Sequence, residues 1–132
     1  MTSSQQLIHW MRFDVSFQGV FSLDTMPAMP RLKTYGFIVN TQTQNLPGQH
    51  WIAVRVFHDQ AWIFDPLAFP PVAEIGQHLL DRCQIRVIHT PEVSIQPLNT
   101  VSCGQHCIYF LYTLSHASNE REVHEFINKM CS

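Results

Sequence analysis

The segment from Gln96 to Leu114, QPLNTVSCGQHCIYFLYTL, constrains the chain most. Its polar loop, Asn99 to Ser102, leads into an apolar run from Ile108 to Leu114, and together they predict a helix that begins at Cys103 and is buried nearly all round. Such a helix has to be enclosed, so the rest of the chain must supply a sheet and further helices to cover it. Cys103 falls in the first turn, where unpaired N–H groups and the positive end of the helix dipole favour a thiolate over a thiol. Gly104 beside it lets a carbonyl approach the backbone without meeting a Cβ. The position therefore suits nucleophilic attack on a carbonyl carbon; the plain alternative is a small buried hydrophobe.

The 132 residues fit one domain, residues 1–132, with one core. With 45% apolar and 14% charged residues the composition is globular, with neither a disordered tail nor a coiled coil. No apolar run is long enough for a membrane span and no signal segment opens the chain, so a soluble protein with no membrane partner is expected. A net charge of −2 and the lack of any Lys/Arg cluster argue against strong nucleic-acid binding. Cys83, Cys103, Cys107 and Cys131 read as reduced thiols, which places the protein in an intracellular, reducing compartment.

Ser3 or Ser4 caps a short helix bearing Leu7, Ile8, Trp10 and Met11, expected to dock loosely. Pro27 and Pro30 make the stretch from Phe13 to Lys33 a loop with a short strand around Gly19 to Leu23. Strands are predicted at Tyr35 to Asn40, Trp51 to Phe57 and Ala61 to Phe64, the last two forming a hairpin over His58-Asp59-Gln60. A helix follows Pro70-Pro71 on Val72, Ile75 and Leu79, then a strand from Gln84 to His89. Asn119 caps a last helix with Val123, Phe126, Ile127 and Met130 on one face. The fold class is α+β: a mixed or antiparallel sheet packed on a central helix that starts at Cys103.

A cysteine nucleophile needs a base, and histidine titrates in the right range. Of eight histidines, His50 stands at the end of a Pro-Gly loop and the mouth of a strand; His89 and His106 are its rivals. Asp65 ends the strand paired with the one His50 begins, so it can orient the imidazole, although an Asp-Pro turn alone would also explain it. The oxyanion of an acyl-transfer intermediate needs donors, which the Cys103 N–H and the Gln96 amide can supply. Cys103, His106 and Cys107 also lie on one helical face, but without the second ligand pair of a closed zinc site; no metal and no cofactor is expected.

At these residues the chain resembles the adenovirus-type (adenain-like) cysteine endopeptidases and, more distantly, the ubiquitin-like protein proteases. The likeness runs from Phe17 to Leu114 and is carried by FQG, by IVNT (Ile38 to Thr41), by GQHW (Gly48 to Trp51), by FDPLAF (Phe64 to Phe69) and by QPLNTVSCGQHC (Gln96 to Cys107). The resemblance implies a papain-like, circularly permuted fold with His50 as base, Asp65 as orienting acid where the adenoviral enzymes carry Glu, Gln96 as oxyanion donor and Cys103 as nucleophile. It implies a thiol protease that hydrolyses peptide bonds in precursor proteins during virion maturation, from a virus or virus-derived element, acting in the host nucleus or the virion. The adenoviral enzymes are longer and basic, bind DNA and take an activating peptide through a cysteine that precedes the Gln. This chain is mildly acidic and places Cys83 near that position, so the peptide is a secondary expectation and DNA activation is not carried over. A ubiquitin-like modifier isopeptidase and a non-catalytic protein-binding module are the alternatives, and a polypeptide substrate is the expected partner.

Overall fold

Strands β2 (Thr34–Asn40), β3 (Trp51–Phe57) and β4 (Gln60–Phe64) are dominated by β-branched and aromatic residues and are buried on both faces. Such runs belong in the middle of a sheet covered on two sides. The computed structural model describes residues 3–28, 34–41, 50–65, 73–91 and 103–131, with side chains for all of these except 103, 130 and 131. Its described strands form one mixed sheet in the order β1-β2-β3-β4-β5. The pairs β2/β3 and β3/β4 are antiparallel, while the edge strands β1 (Phe17–Ser22) and β5 (Val87–His89) run parallel to their neighbours. Gly19, at φ +127°, marks a register shift between Phe17 and Val20 that bends β1 along the sheet.

Alternation along the strands divides the core in two. Trp51, Ala53, Trp62 and Phe64 face three helices: α1 (Ser4–Trp10), α3 (Cys103–Ser115) and α4 (Glu120–Cys131). Ile52, Val54, Val56, Ala61 and Ile63 face α2 (Ala73–Arg82), which presents Ile75 and Leu79. No described helix is long and apolar enough to cross a membrane. On the three-helix side a cation is also enclosed: Arg55 Nη1 donates to Ser16 Oγ at 2.9 Å, and that hydroxyl donates to Asp14 Oδ1 at 2.6 Å. This chain of bonds ties the turn before β1 to the middle of the sheet, and burial pulls the guanidinium pKa down while Asp14 opposes the shift.

Several elements differ from the sequence expectation: β4 begins at Gln60, so the hairpin turn is His58-Asp59 alone, and β1 begins at Phe17. Helix α1 is firmly docked, because a capping box between Ser3 and Gln6 fixes its start and Leu7 and Met11 are both buried in the core. Helix α3 is not apolar all round: Cys107, Phe110, Leu111 and Leu114 face the sheet, while Tyr109 and Tyr112 are about 60% exposed. Tyrosine supports this because its ring packs against neighbours while its hydroxyl stays in water. Strand β5 is shorter than Gln84 to His89, since Gln84 takes a left-handed conformation (φ 56°) that turns Ile85 N–H back onto the Leu79 carbonyl at the end of α2. The expected helical position of Val72 and the Pro-Gly turn before His50 lie outside the described residues.

Candidate active site

The β3/β4 register pairs Ala53 with Phe64, so the beginning of β3 and the end of β4 meet at one end of the sheet. His50 immediately precedes β3 and Asp65 immediately follows β4. His50 Nε2 lies 3.0 Å from Asp65 Oδ2, with the two side chains only 12% and 8% exposed. A carboxylate withdrawn this far from water needs a donor, and the imidazole N–H supplies it. An ionised carboxylate only accepts, so the pairing puts a proton on Nε2 and makes Nδ1 the basic nitrogen of the neutral ring. The His50 backbone is held as well: its carbonyl accepts from Thr41 N–H at 3.0 Å, and Thr41 is buried. Thr41 ends the IVNT segment, but a threonine there carries no chemical signal of its own, and its part in the site emerges only from strand pairing.

Cys103 is the first residue of α3, as the loop-to-helix change in polarity predicts. Its side chain, and Gln96 entirely, lie outside the described residues. The structure therefore brings His50 and Asp65 together and places the Cys103 backbone at a helix N-terminus. Helix α3 is fastened next to the pair at two points. The Cys107 thiol donates to the Trp51 carbonyl at 3.3 Å, and the Phe110 ring stacks on Phe64 at 4.6 Å with 3° between planes. Cys107 is fully buried, and so is Trp51, packed in the three-helix core.

The rival histidines have other surroundings. His89, on β5, lies flat on Trp62 with ring centroids 4.8 Å apart, and its Nε2 is 2.8 Å from Gln60 Oε1. His124 of α4 meets the same two rings edge-on. Burial first, and then the neighbouring His124, hold the His89 pKa below the ordinary imidazole range, with Glu120 opposing. His106 is half-buried on α3. Among the described residues no group of three or more His, Cys, Asp or Glu side chains is arranged to hold a metal ion.

No protein-family model matches the chain, and no curated protein matches it. Among solved structures it is similar to the crystal structure of the selenomethionine ASFV pS273R protease, with a TM-score of 0.49 and 19% sequence identity. That similarity covers 73% of this chain and 42% of the ASFV chain, so this chain spans less than half of that protein's length.

Proposed function

We propose that the protein is a cysteine endopeptidase in which Cys103 attacks the scissile carbonyl, His50 is the base, Asp65 orients the imidazole and Gln96 donates to the oxyanion. The observation that carries this reading is the His50–Asp65 bond at the end of the sheet beside the helix that Cys103 opens. An imidazole largely shielded from water and bonded through Nε2 to a carboxylate is oriented as a general base, and on this reading Cys103 is the nucleophile it serves. His50 Nδ1 takes the thiol proton, Cys103 Sγ bonds to the carbonyl carbon, and the C–O π pair moves to oxygen, where Gln96 and the Cys103 N–H donate. Collapse expels the amine, which takes the proton back from His50; a water deprotonated by the same nitrogen then releases the acid and frees the thiolate. The order His50, Asp65, Gln96, Cys103 along the chain makes this a permutation of the papain arrangement. The substrate class is a viral precursor polypeptide of the capsid-maturation type, with an activating peptide as a secondary partner.

Incubation of the purified protein with capsid precursors and with a panel of ubiquitin-like modifier precursors tests the reading. Cleavage of the former is expected; cleavage confined to the latter would transfer the same chemistry to an isopeptidase. Cys103→Ala and His50→Ala should each abolish turnover, with the double variant little worse than either. Asp65→Asn should be milder, and Gln96→Ala should cost about 3 kcal/mol of transition-state stabilisation with little change in KM. A folded Cys103→Ala protein that cleaves at the parent rate would sink the assignment.

A further inference from the structure

We infer that Cys107 is a positioning residue for the site, joining the helix that carries Cys103 to the strand that His50 immediately precedes. The inference rests on the protease reading for its consequence and on three geometric facts for its basis. Cys107 lies four residues after Cys103, hence one helical turn along the same face of α3. Its thiol donates to the carbonyl of Trp51, the residue directly after His50. Phe110, one turn further, stacks on Phe64, the residue directly before Asp65. The two strands are thus gripped at positions adjacent to His50 and Asp65, and both grips are made by the buried face of α3, within two turns of Cys103.

Either contact alone is ordinary core packing. Their joint placement is what gives them a role, because a helix seated on a sheet by apolar contacts retains freedom to slide along its axis or turn about it. A directional S–H···O=C bond opposes both motions at the end of the helix where the nucleophile stands, and the parallel Phe110–Phe64 stack opposes rotation one turn further along. Displacements of about 1 Å between reacting groups cost on the order of a hundredfold in rate, so restraints of this kind bear on kcat even though neither residue touches substrate. Cysteine suits the position because its small, weakly polar side chain is tolerated among Trp51, Phe110 and Leu111 while it still offers one donor.

The test compares Cys107→Val, which removes the donor and adds one methyl carbon, with Cys107→Ser, which keeps the donor. Cys107→Val is expected to lower kcat about tenfold with KM within twofold of the parent, while Cys107→Ser retains most of the parent kcat. The pH dependence of Cys103 alkylation by iodoacetamide, followed by mass spectrometry, gives a second reading that needs no turnover. Its midpoint should move in Cys107→Val toward the free-thiol value of about 8.5, as the proposed pairing of His50 with Cys103 loosens and favours the thiolate less. A Cys107→Val protein with parent kcat and parent alkylation midpoint overturns the inference. If the parent cleaves nothing while the midpoint still moves in Cys107→Val, the positioning role stands and the protease reading falls. Should Cys107→Val fail to fold, Phe110→Leu takes its place with the same two measurements, and an unchanged kcat and midpoint there also overturn the inference.

Discussion

Acidification from pH 7.5 to 5.5 should loosen the end of the molecule where α4 meets β4 and β5, and His89 is the group responsible. Its Nε2 approaches Gln60 Oε1 at 2.8 Å, its ring lies on Trp62, and its centroid is 5.4 Å from that of His124, whose Nε2 is 3.6 Å from Glu120 Oε1. When both imidazoles are charged, two unit charges at that separation repel by about 3 kcal/mol at an effective dielectric constant near 20 and by under about 1 kcal/mol in water. His124 is 45% exposed, so the watery end of that range applies. Glu120 returns part of the repulsion, as does attraction of the imidazolium to the Trp62 face, about 0.5–1 kcal/mol at accessible sites. Burial of His89 acts against its charging and is the leading cause of its lowered pKa. The charge interactions nearly cancel, so burial decides the sign, and the net penalty expected stays under about 1 kcal/mol.

The direction follows from linkage. A folded-state pKa below the unfolded value of about 6.5 means that the unfolded chain binds the proton first. The stability is complete above the unfolded value and is lost as pH falls through it toward the folded value. Urea unfolding at pH 7.5 and 5.5 on the parent and on His89→Gln isolates the contribution, because every other ionisable side chain is present in both proteins. The parent should lose more stability than the variant, by under about 1 kcal/mol, and hydrogen exchange, corrected for its intrinsic pH dependence, should show the excess loss in 119–131. Equal losses in the two proteins, or a parent that gains stability relative to His89→Gln on acidification, would refute the reasoning.

Two further substitutions probe the packing around α3 and α4. Gly36→Ala would put a Cβ 3.0 Å from Leu111 Cδ2 and 3.3 Å from the Val54 carbonyl, and since that carbonyl is fixed in the sheet, a loss of about 1–3 kcal/mol is expected; an unchanged urea midpoint would show that the helix can lift off β2 without cost. Asn119→Ala removes the oxygen that accepts the Glu122 N–H at 2.9 Å at the start of α4 and should cost about 1 kcal/mol, with Asn119→Asp near the parent in the same measurement.

The hairpin of β3 and β4 and the cap of α4 are legible in the sequence because each depends on neighbours in the chain. A β-branched run, a short polar break and an Asn three residues before a Glu are local features with local causes. The parallel edge strands are another matter. β1 pairs with β2 and β5 with β4 only because chain segments cross over to bring them there, and no residue type within β1 or β5 announces a parallel neighbour. The left-handed residue that shortens β5 is a glutamine, not the glycine or asparagine that would advertise it. Arg55 is equally silent: it reads as a solvated charge in the middle of a strand, and only the return of Ser16 and Asp14 across the sheet explains its burial.

His50 and Asp65 were readable for a reason that also explains where such reading stops. Both occupy positions where a regular element ends, and strand pairing converts two sequence boundaries into one location in space. A residue that contributes only through the backbone, as Thr41 does to His50, or through a carbonyl, as Trp51 does to Cys107, is invisible to side-chain chemistry because any residue type offers those groups. The polar contacts that seat the pair are therefore spread over residues chosen for burial, and substitutions that respect hydrophobicity while moving the backbone at Thr41 or Trp51 should disturb His50 more than many exchanges of polar residues on the surface.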